Sequence, residues 1–304
     1  MVFNKLNIWV QRYFYYPNIF DKILSFFLIP ITILYAFAVY FKKKFSKEMD
    51  FQIPIISIGN ITLGGSGKTP LCIAIANEFK DGFIILRGYK RQSSGLICVC
   101  INGSILTDVL TSGDEAMEYA TNVKNANVIV SENRDIAIQK AKELGAKYIL
   151  LDDGFGKFHI KKFNILIKPK QEPFFDICIP SGAYRYPFYF YKFADFIAQE
   201  DISYFKNTKI INPTQRMVLV SAIANPNRLD EFKQICVESY YFVDHYSFKK
   251  DELLKIIKEH NATSILVTNK DFVKIKDFGL NVSLIKLQVV LGNEFKELIN
   301  SKIL

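Results

Sequence analysis

The stretch IPIISIGNITLGGSGKTPLCIAIANEF, residues 53–79, decides the fold because three patterns follow one another in it. Residues 53–60 predict a short buried strand, and residues 71–79 predict a helix. Between them, Gly64 to Thr69 reads Gly-Gly-Ser-Gly-Lys-Thr. Small residues allow successive backbone N–H groups to face an anion, while a lysine reaches the β- and γ-phosphates of a nucleotide and a threonine ligates Mg²⁺. The stretch therefore predicts a phosphate-binding loop between a strand and a helix.

The loop departs from the strict phosphate-loop pattern at one position. That pattern has a glycine five residues before Gly67, and this chain has Thr62 there. The alternative interpretation is a glycine turn with an incidental lysine. Because the other glycines and the strand–loop–helix context are retained, we predict a nucleotide site over Thr62, Leu63, Gly64, Gly65, Ser66, Gly67, Lys68 and Thr69.

Strand and helix patterns alternate around this loop. Further strand-like runs are GFIIL (82–86), GLICVCI (95–101), NVIVS (127–131) and KYILLDD (147–153), with a helical pattern over 133–144. This alternation predicts an α/β fold of the P-loop NTPase type with a mostly parallel sheet. After Asn212-Pro213 the patterns restart, which predicts a smaller C-terminal α/β domain. The predicted ranges are 1–48 for an N-terminal segment, 49–215 for the P-loop core and 216–304 for the C-terminal domain.

An uncharged run lies near the N-terminus. Residues 23–41, ILSFFLIPITILYAFAVYF, carry no charge and are followed at once by three lysines, 42–44. As a single helix the run would be ~28 Å long, close to the ~30 Å of a bilayer core. The lysines would stay on the cytoplasmic side, and Pro30 would kink the helix. We predict a membrane-associated helix, which could span the bilayer or lie in its interface; the alternative is a long buried core helix.

Composition narrows the class of protein. The chain has 304 residues, of which 50% are hydrophobic, and a net charge of +9. This apolar content excludes a mainly disordered chain. Five cysteines without a Cys-x-x-Cys spacing indicate neither a disulfide framework nor a zinc site. A chain both apolar and basic suits an anionic partner: nucleic acid, a phosphorylated small molecule or a membrane surface. Nucleic acid is disfavoured because the basic residues are dispersed, apart from patches at 42–44 and 87–91.

Two acidic segments are candidates for chemistry. Asp152 and Asp153 end the apolar run YILLDDG, where carboxylates could hold Mg²⁺ opposite the hydroxyl of Thr69. Their alternative role is that of turn residues. Asp114 opens a helical pattern, which by itself suits an acidic cap favoured by the helix dipole. His245 stands alone in an aromatic stretch, where a structural role is the more common one.

One segment is similar to the guanine-binding motif of GTPases. Thr268-Asn269-Lys270-Asp271 is similar to the Asn-Lys-x-Asp of GTPases, but here the aspartate follows the lysine directly. Its carboxylate would not reach a guanine edge from this position. We therefore exclude GTP specificity.

Taken together, these motifs resemble the tetraacyldisaccharide 4′-kinase (lipid A 4′-kinase) family. The resemblance covers most of the chain in order. Besides the apolar N-terminus and the loop, it rests on Ser57–Thr62, Thr69-Pro70, Arg87–Arg91, Gly113–Glu115, Glu132–Arg134, Asp152–Phe155, Pro180–Gly182 with Arg185 and Pro187, Ala224–Arg228, Asp244-His245 and Thr268–Asp271. Thr62 is the usual residue in that family's loop.

The resemblance implies roles for particular residues. Residues 62–69 would bind the ATP phosphates, with Lys68 on the β- and γ-phosphates, and Thr69, Asp152 and Asp153 would serve Mg²⁺. Asp114 would be the base that accepts the proton of the sugar 4′-hydroxyl, and His245 would orient and tune it. The family usually has Gln-His where this chain has Gly156-Lys157, and an acidic residue where it has Tyr186.

The implied activity is an ATP- and Mg²⁺-dependent kinase. It would phosphorylate the 4′-hydroxyl of a tetraacyldisaccharide 1-phosphate to give lipid IVA in lipid A biosynthesis, at the cytoplasmic face of a bacterial inner membrane. The expected partners are the lipid disaccharide and that membrane, with no nucleic acid and no obligate protein partner. The alternatives are a membrane-associated P-loop ATPase without a phosphorylated lipid product, and a non-enzymatic interaction protein that keeps a nucleotide site.

Overall fold

The computed structural model describes residues 2–64, 66–223, 226–243 and 246–304, and within them the chain forms two β-sheets. The strands are β1 (Ile55–Gly59), β2 (Gly82–Leu86), β3 (Ile97–Ile101), β4 (Ser104–Ile105), β5 (Val128–Val130), β6 (Tyr148–Asp152), β7 (Phe163–Ile167), β8 (Phe196–Ala198), β9 (Tyr204–Ile211), β10 (Met217–Ser221), β11 (Cys236–Tyr241), β12 (Ser264–Thr268) and β13 (Val282–Leu291). The α-helices are α1 (Val2–Tyr15), α2 (Ile19–Phe27), α3 (Ile29–Lys44), α4 (Lys68–Glu78), α5 (Val109–Ser112), α6 (Asp114–Asn122), α7 (Arg134–Glu143), α8 (Asp230–Lys233), α9 (Lys250–Glu259), α10 (Asn269–Ile275) and α11 (Asn293–Ile303), with 3₁₀ turns at Phe188–Phe193, Pro226–Leu229 and Lys276–Phe278.

The larger sheet has the order β4-β3-β5-β2-β6-β1-β7-β8, and its strand pairs are parallel except the two that β3 makes with β5 and β4. Strands β1 and β6 are buried along their whole length, since α4 and α6 pack on one face of the sheet and α7 on the other. Strands covered on both faces are continuous apolar runs, which is why the sequence revealed them. The predicted mostly parallel α/β sheet is confirmed.

The smaller sheet has the order β11-β10-β12-β13-β9, with β9 antiparallel to β13. Strand β9 lies ahead of the predicted limit at residue 215, so the chain enters the smaller sheet earlier than the sequence indicated. No strand pattern is visible there because β9 is an edge strand whose middle, residues 206–209, is polar and largely exposed. The three domain ranges otherwise stay a prediction.

The apolar run near the N-terminus forms two helices that meet at an angle. Helices α2 and α3 meet at Leu28 with a bend of 56°, and Pro30 stands in the first turn of α3. The break predicted from Pro30 is thus confirmed. Among the described residues, no individual helix has the length and apolar content to cross a bilayer, while this bent pair meets both criteria together.

A polar cluster attaches these helices to the rest of the chain. The hydroxyl of Ser25 donates to the Ser181 carbonyl at 2.8 Å, and the hydroxyl of Thr32 lies 2.8 Å from Ser181 Oγ. Tyr35 Oη donates to the carbonyl of Arg185 at 2.7 Å. Because Ser25, Thr32 and Ser181 are all buried, these bonds fix α2 and α3 against the 178–186 segment.

Candidate active site

The glycine loop has the geometry of an anion site. Strand β1 ends at Gly59 and α4 begins at Lys68, so the free N–H groups of the first helical turn face the loop. Gly67, the residue before the helix, has a φ of 84°, a left-handed conformation that residues with side chains adopt only with strain. Gly65 lies outside the described residues. The predicted strand–loop–helix unit is confirmed.

Lys68 is held at the carboxyl edge of the larger sheet. Its Nζ donates to Asn60 Oδ1 at 2.9 Å and lies 3.8 Å from Asp153 Oδ1. Asn60 is itself fixed, because its amide donates to the Thr62 carbonyl at 2.8 Å. The ammonium is therefore held by contacts with Asn60 and Asp153.

The acidic pair lies at the end of β6, the parallel neighbour of β1: Asp152 is the last residue of the strand and Asp153 follows it. The two side chains differ in environment. Asp152 is buried, and its Oδ2 accepts a bond from Tyr119 Oη at 2.9 Å. Burial, and then the charges of Glu115 and Asp153, raise the pKa of Asp152 to about 7. Burial alone would also raise the pKa of Asp153, but Lys68, Arg185 and Arg134 outweigh it and lower that pKa to about 2.

Arg185 is a site residue whose pairing the sequence did not reveal. Its guanidinium makes two bonds to Asp153, at 3.0 and 2.9 Å, and one to the carbonyl of Asn60 at 3.0 Å. Such two-point pairing fixes a carboxylate in orientation as well as in charge. Arg185 lies 32 residues from Asp153, so no local spacing could have indicated the pair.

Several polar atoms in this cleft have no hydrogen-bond partner among the described residues. Ser66 Oγ, Asp152 Oδ1 and Arg134 Nε are all buried and unpaired in that part of the chain. An unsatisfied buried polar group costs about 1–3 kcal/mol, so a cluster of them indicates a ligand. The cleft has a volume of about 2310 Å³ and lies between the loop, β9, β13 and α10. It exceeds the roughly 300–1,000 Å³ of a single small-molecule pocket, which leaves room for a second substrate.

The residues present fit a magnesium ion. Thr69, Asp152 and Asp153 line the cleft and offer oxygen atoms, the donors that Mg²⁺ prefers. Asp152 Oδ1 is unpaired, and burial raises the pKa of the nearby Glu118 to about 7. A divalent cation would neutralise this excess of buried carboxylate. Within the described ranges, no three His, Cys, Asp or Glu side chains form a metal cluster. Mg²⁺ in nucleotide sites takes one or two carboxylates and completes its shell with phosphates and water.

Asp114 is the first residue of α6, as predicted, and follows Gly113, whose φ is 88°. A Cβ on Gly113 would lie 3.2 Å from the carbonyl oxygen of Tyr89, so glycine permits the close approach of this turn. Asp114 Oδ2 lies 3.4 Å from Lys274 Nζ on α10. The predicted partner of Asp114, His245, lies outside the described residues.

The two departures from the family pattern are neighbours in space. A Cβ on Gly156 would overlap the phenol oxygen of Tyr186. Burial raises the pKa of Tyr186 to about 12, so the phenol is neutral. The glycine therefore makes room for the tyrosine, and the two replacements act as a pair.

A parallel sheet, a glycine loop that opens a helix, and an acidic pair at the end of the neighbouring strand define a P-loop nucleotide-binding protein. The sequence model of the tetraacyldisaccharide-1-P 4′-kinase family, LpxK, matches residues 24–211 and 198–304. The chain belongs to that family.

Relatives and one solved structure are similar over nearly the whole chain. The tetraacyldisaccharide 4′-kinase of Campylobacter jejuni strain RM1221 is 48% identical over 97% of this chain and 96% of its own. The enzyme of the same name from Helicobacter pylori is 46% identical over 97% of this chain and 95% of its own. A crystal structure of LpxK from Aquifex aeolicus, described as an "apo" form in complex with ATP, superposes with a TM-score of 0.78 at 25% identity and covers 92% of this chain and 100% of that one.

Proposed function

We propose that this chain transfers the γ-phosphoryl group of ATP to the 4′-hydroxyl of a tetraacyldisaccharide 1-phosphate, which gives lipid IVA in lipid A biosynthesis. The observation that carries the proposal is the large cleft itself. It is lined on one side by the phosphate loop with its unpaired polar atoms, and by Glu115 and Glu118 of the helix that Asp114 opens. Relatives of this name match nearly the full length of the chain.

The residues divide the work of phosphoryl transfer. The 4′-oxygen forms a bond to the γ-phosphorus, the bond from that phosphorus to ADP breaks, and the carboxylate of Asp114 takes the hydroxyl proton. Lys68 stabilises the negative charge that develops on the phosphate oxygens. A magnesium ion held by Thr69, Asp152 and Asp153 would supply further charge neutralisation.

The decisive assay uses the wild-type protein with Mg²⁺, ATP labelled at the γ-phosphate, and tetraacyldisaccharide 1-phosphate. We expect label in a lipid product that carries it at the 4′-position. ATP hydrolysis without a labelled lipid would favour the alternative of a membrane-associated P-loop ATPase. Absence of both activities would contradict an enzymatic role.

We further propose that α2 and α3 hold the protein at the cytoplasmic face of a bacterial inner membrane. The support is that the two helices have their polar side chains buried and their apolar side chains exposed. Asp21, Ser25 and Thr32 point inward, while large apolar side chains point to the outside. Phe20 is 76% exposed and Leu34 is 70% exposed. Soluble proteins rarely expose so large an apolar patch unless it binds something, and three lysines at the end of α3 suit anionic lipids.

The membrane proposal predicts the effect of removing part of this patch. Phe20, Phe27 and Leu34 replaced together by serine should weaken binding to phosphatidylethanolamine–phosphatidylglycerol vesicles at least tenfold, since each large apolar side chain contributes roughly 1.5–3 kcal/mol when buried. Cosedimentation measures the change. Ile136→Ser with Leu254→Ser is the control, because those apolar residues are also exposed but lie on α7 and α9. Equal binding by the triple variant and the wild type would contradict the proposal.

A further inference from the structure

Lys274 connects the proposed base to the smaller sheet's unit. Its Nζ lies 3.4 Å from Asp114 Oδ2 and 3.4 Å from Asp271 Oδ1. The Lys274 side chain is only 7% exposed, and its ammonium also lies 5.7 Å from the ring centroid of Phe248. A lysine is rarely buried to this degree unless its charge is paired.

The Asp271 side of this bridge is rigid. Asp271 is fully buried, and its Oδ2 accepts bonds from Ser221 Oγ at 3.0 Å, the Ala222 N–H at 3.1 Å and Thr268 Oγ1 at 2.9 Å. These partners come from the ends of β10 and β12. The aspartate of the GTPase-like motif is thus used inside the smaller unit, in agreement with the exclusion of guanine reading. It fixes the ammonium of Lys274 at one point.

One oxygen of Asp271, Oδ2, accepts three bonds from the smaller unit, and Lys274 contacts the other, Oδ1. Asp114, in contrast, belongs to α6 on the larger sheet, across the boundary between the two sheets. An ammonium at 3.4 Å from its Oδ2 limits the directions in which this carboxylate can point.

We propose that Lys274 is a positioning residue for phosphoryl transfer: anchored on Asp271, it orients the Asp114 carboxylate toward the acceptor hydroxyl and so ties the base to the smaller unit. This inference rests on the proposed function. Because this bridge crosses between the two units, the base keeps its orientation only while the units hold the arrangement in which Lys274 contacts both carboxylates.

The test compares Lys274→Met, which keeps the apolar stem and removes the charge, with Lys274→Arg, which keeps the charge. In the lipid phosphorylation assay we expect Lys274→Met to lower kcat at least tenfold with the KM for ATP unchanged within about twofold, because misplaced catalytic groups act on the chemical step. Lys274→Arg should stay within about threefold of the wild type. Lys255→Met is the control, since Lys255 is 77% exposed on α9 of the same unit.

A second comparison separates positioning from folding. In an Asp114→Ala background, Lys274→Met should cause no further loss of the residual rate beyond about twofold, as expected for residues that act together. If Lys274→Met melts at a lower temperature, Lys274→Met combined with Asp271→Asn leaves no unpaired buried carboxylate on the smaller unit and should show the same loss in kcat. A kcat within about threefold of the wild type in Lys274→Met, or in its combination with Asp271→Asn, would overturn the inference. So would a further loss in the Asp114→Ala background as large as the loss that Lys274→Met causes in the wild type. A wild-type protein that forms no phosphorylated lipid would instead overturn the proposed function.

Discussion

Asp114→Ala should lower kcat by roughly 10²–10⁴-fold, the contribution that a positioned general base makes. The acceptor is an alcohol, whose oxygen becomes a competent nucleophile only as its proton leaves. Asp114 stands at the start of α6, where the helix dipole favours its charge, and Lys274 provides a cation at 3.4 Å. Transfer of labelled γ-phosphate to the lipid at saturating ATP measures the change.

The control for this variant is Asp251→Ala. Asp251 also lies in the first turn of a helix, α9, and is exposed. Its loss should cost a similar helix-dipole stabilisation, about 0.3–1 kcal/mol, without effect on transfer. A rate for Asp114→Ala within about threefold of the wild type would show that another group takes the proton.

Lys68→Met should lower kcat/KM for ATP by roughly 10²–10³-fold, because removal of one preorganised hydrogen-bond donor to the charge of a transition state has an effect of about this size. The variant should still fold, because Arg185 continues to pair with Asp153 and to donate to Asn60. The effect should therefore appear in ATP binding and in transfer, and not in the melting temperature.

Lys80→Met is the matched control, since Lys80 is exposed and lies just beyond the end of α4. Calorimetric titration with ATP and the transfer assay together distinguish the outcomes. Unchanged ATP binding and unchanged transfer in Lys68→Met would mean that the loop is a structural element, as in the non-enzymatic alternative.

The sequence predicted the parts of the fold that depend on local pattern. Strand β2 has the predicted limits, and the loop with Lys68 lies between a strand and a helix as expected. Strand β9 was missed because an exposed edge strand pairs on one side only and needs no apolar run.

The sequence offers Lys68 and the acidic pair as candidate site residues through short motifs, and Asp114 through the family resemblance. It did not indicate the contacts of Asp153 with Arg185 or of Asp114 with Lys274. Both pairs join distant parts of the chain, and only the folded topology brings them together. The sequence shows Gly156 and Tyr186 as departures from the family pattern. Only the folded structure shows that Gly156 leaves room for Tyr186.

The buried bonds among Ser25, Thr32 and Ser181 have a consequence for how substrate is encountered. They attach the apolar helices to the segment that carries Arg185, which contacts Asp153. With those helices in the bilayer, the cleft would stay at a fixed height above the lipid headgroups. A lipid would then reach it by lateral diffusion with its acyl chains still immersed, so turnover would follow the mole fraction of substrate in the membrane and not its amount per volume of solution.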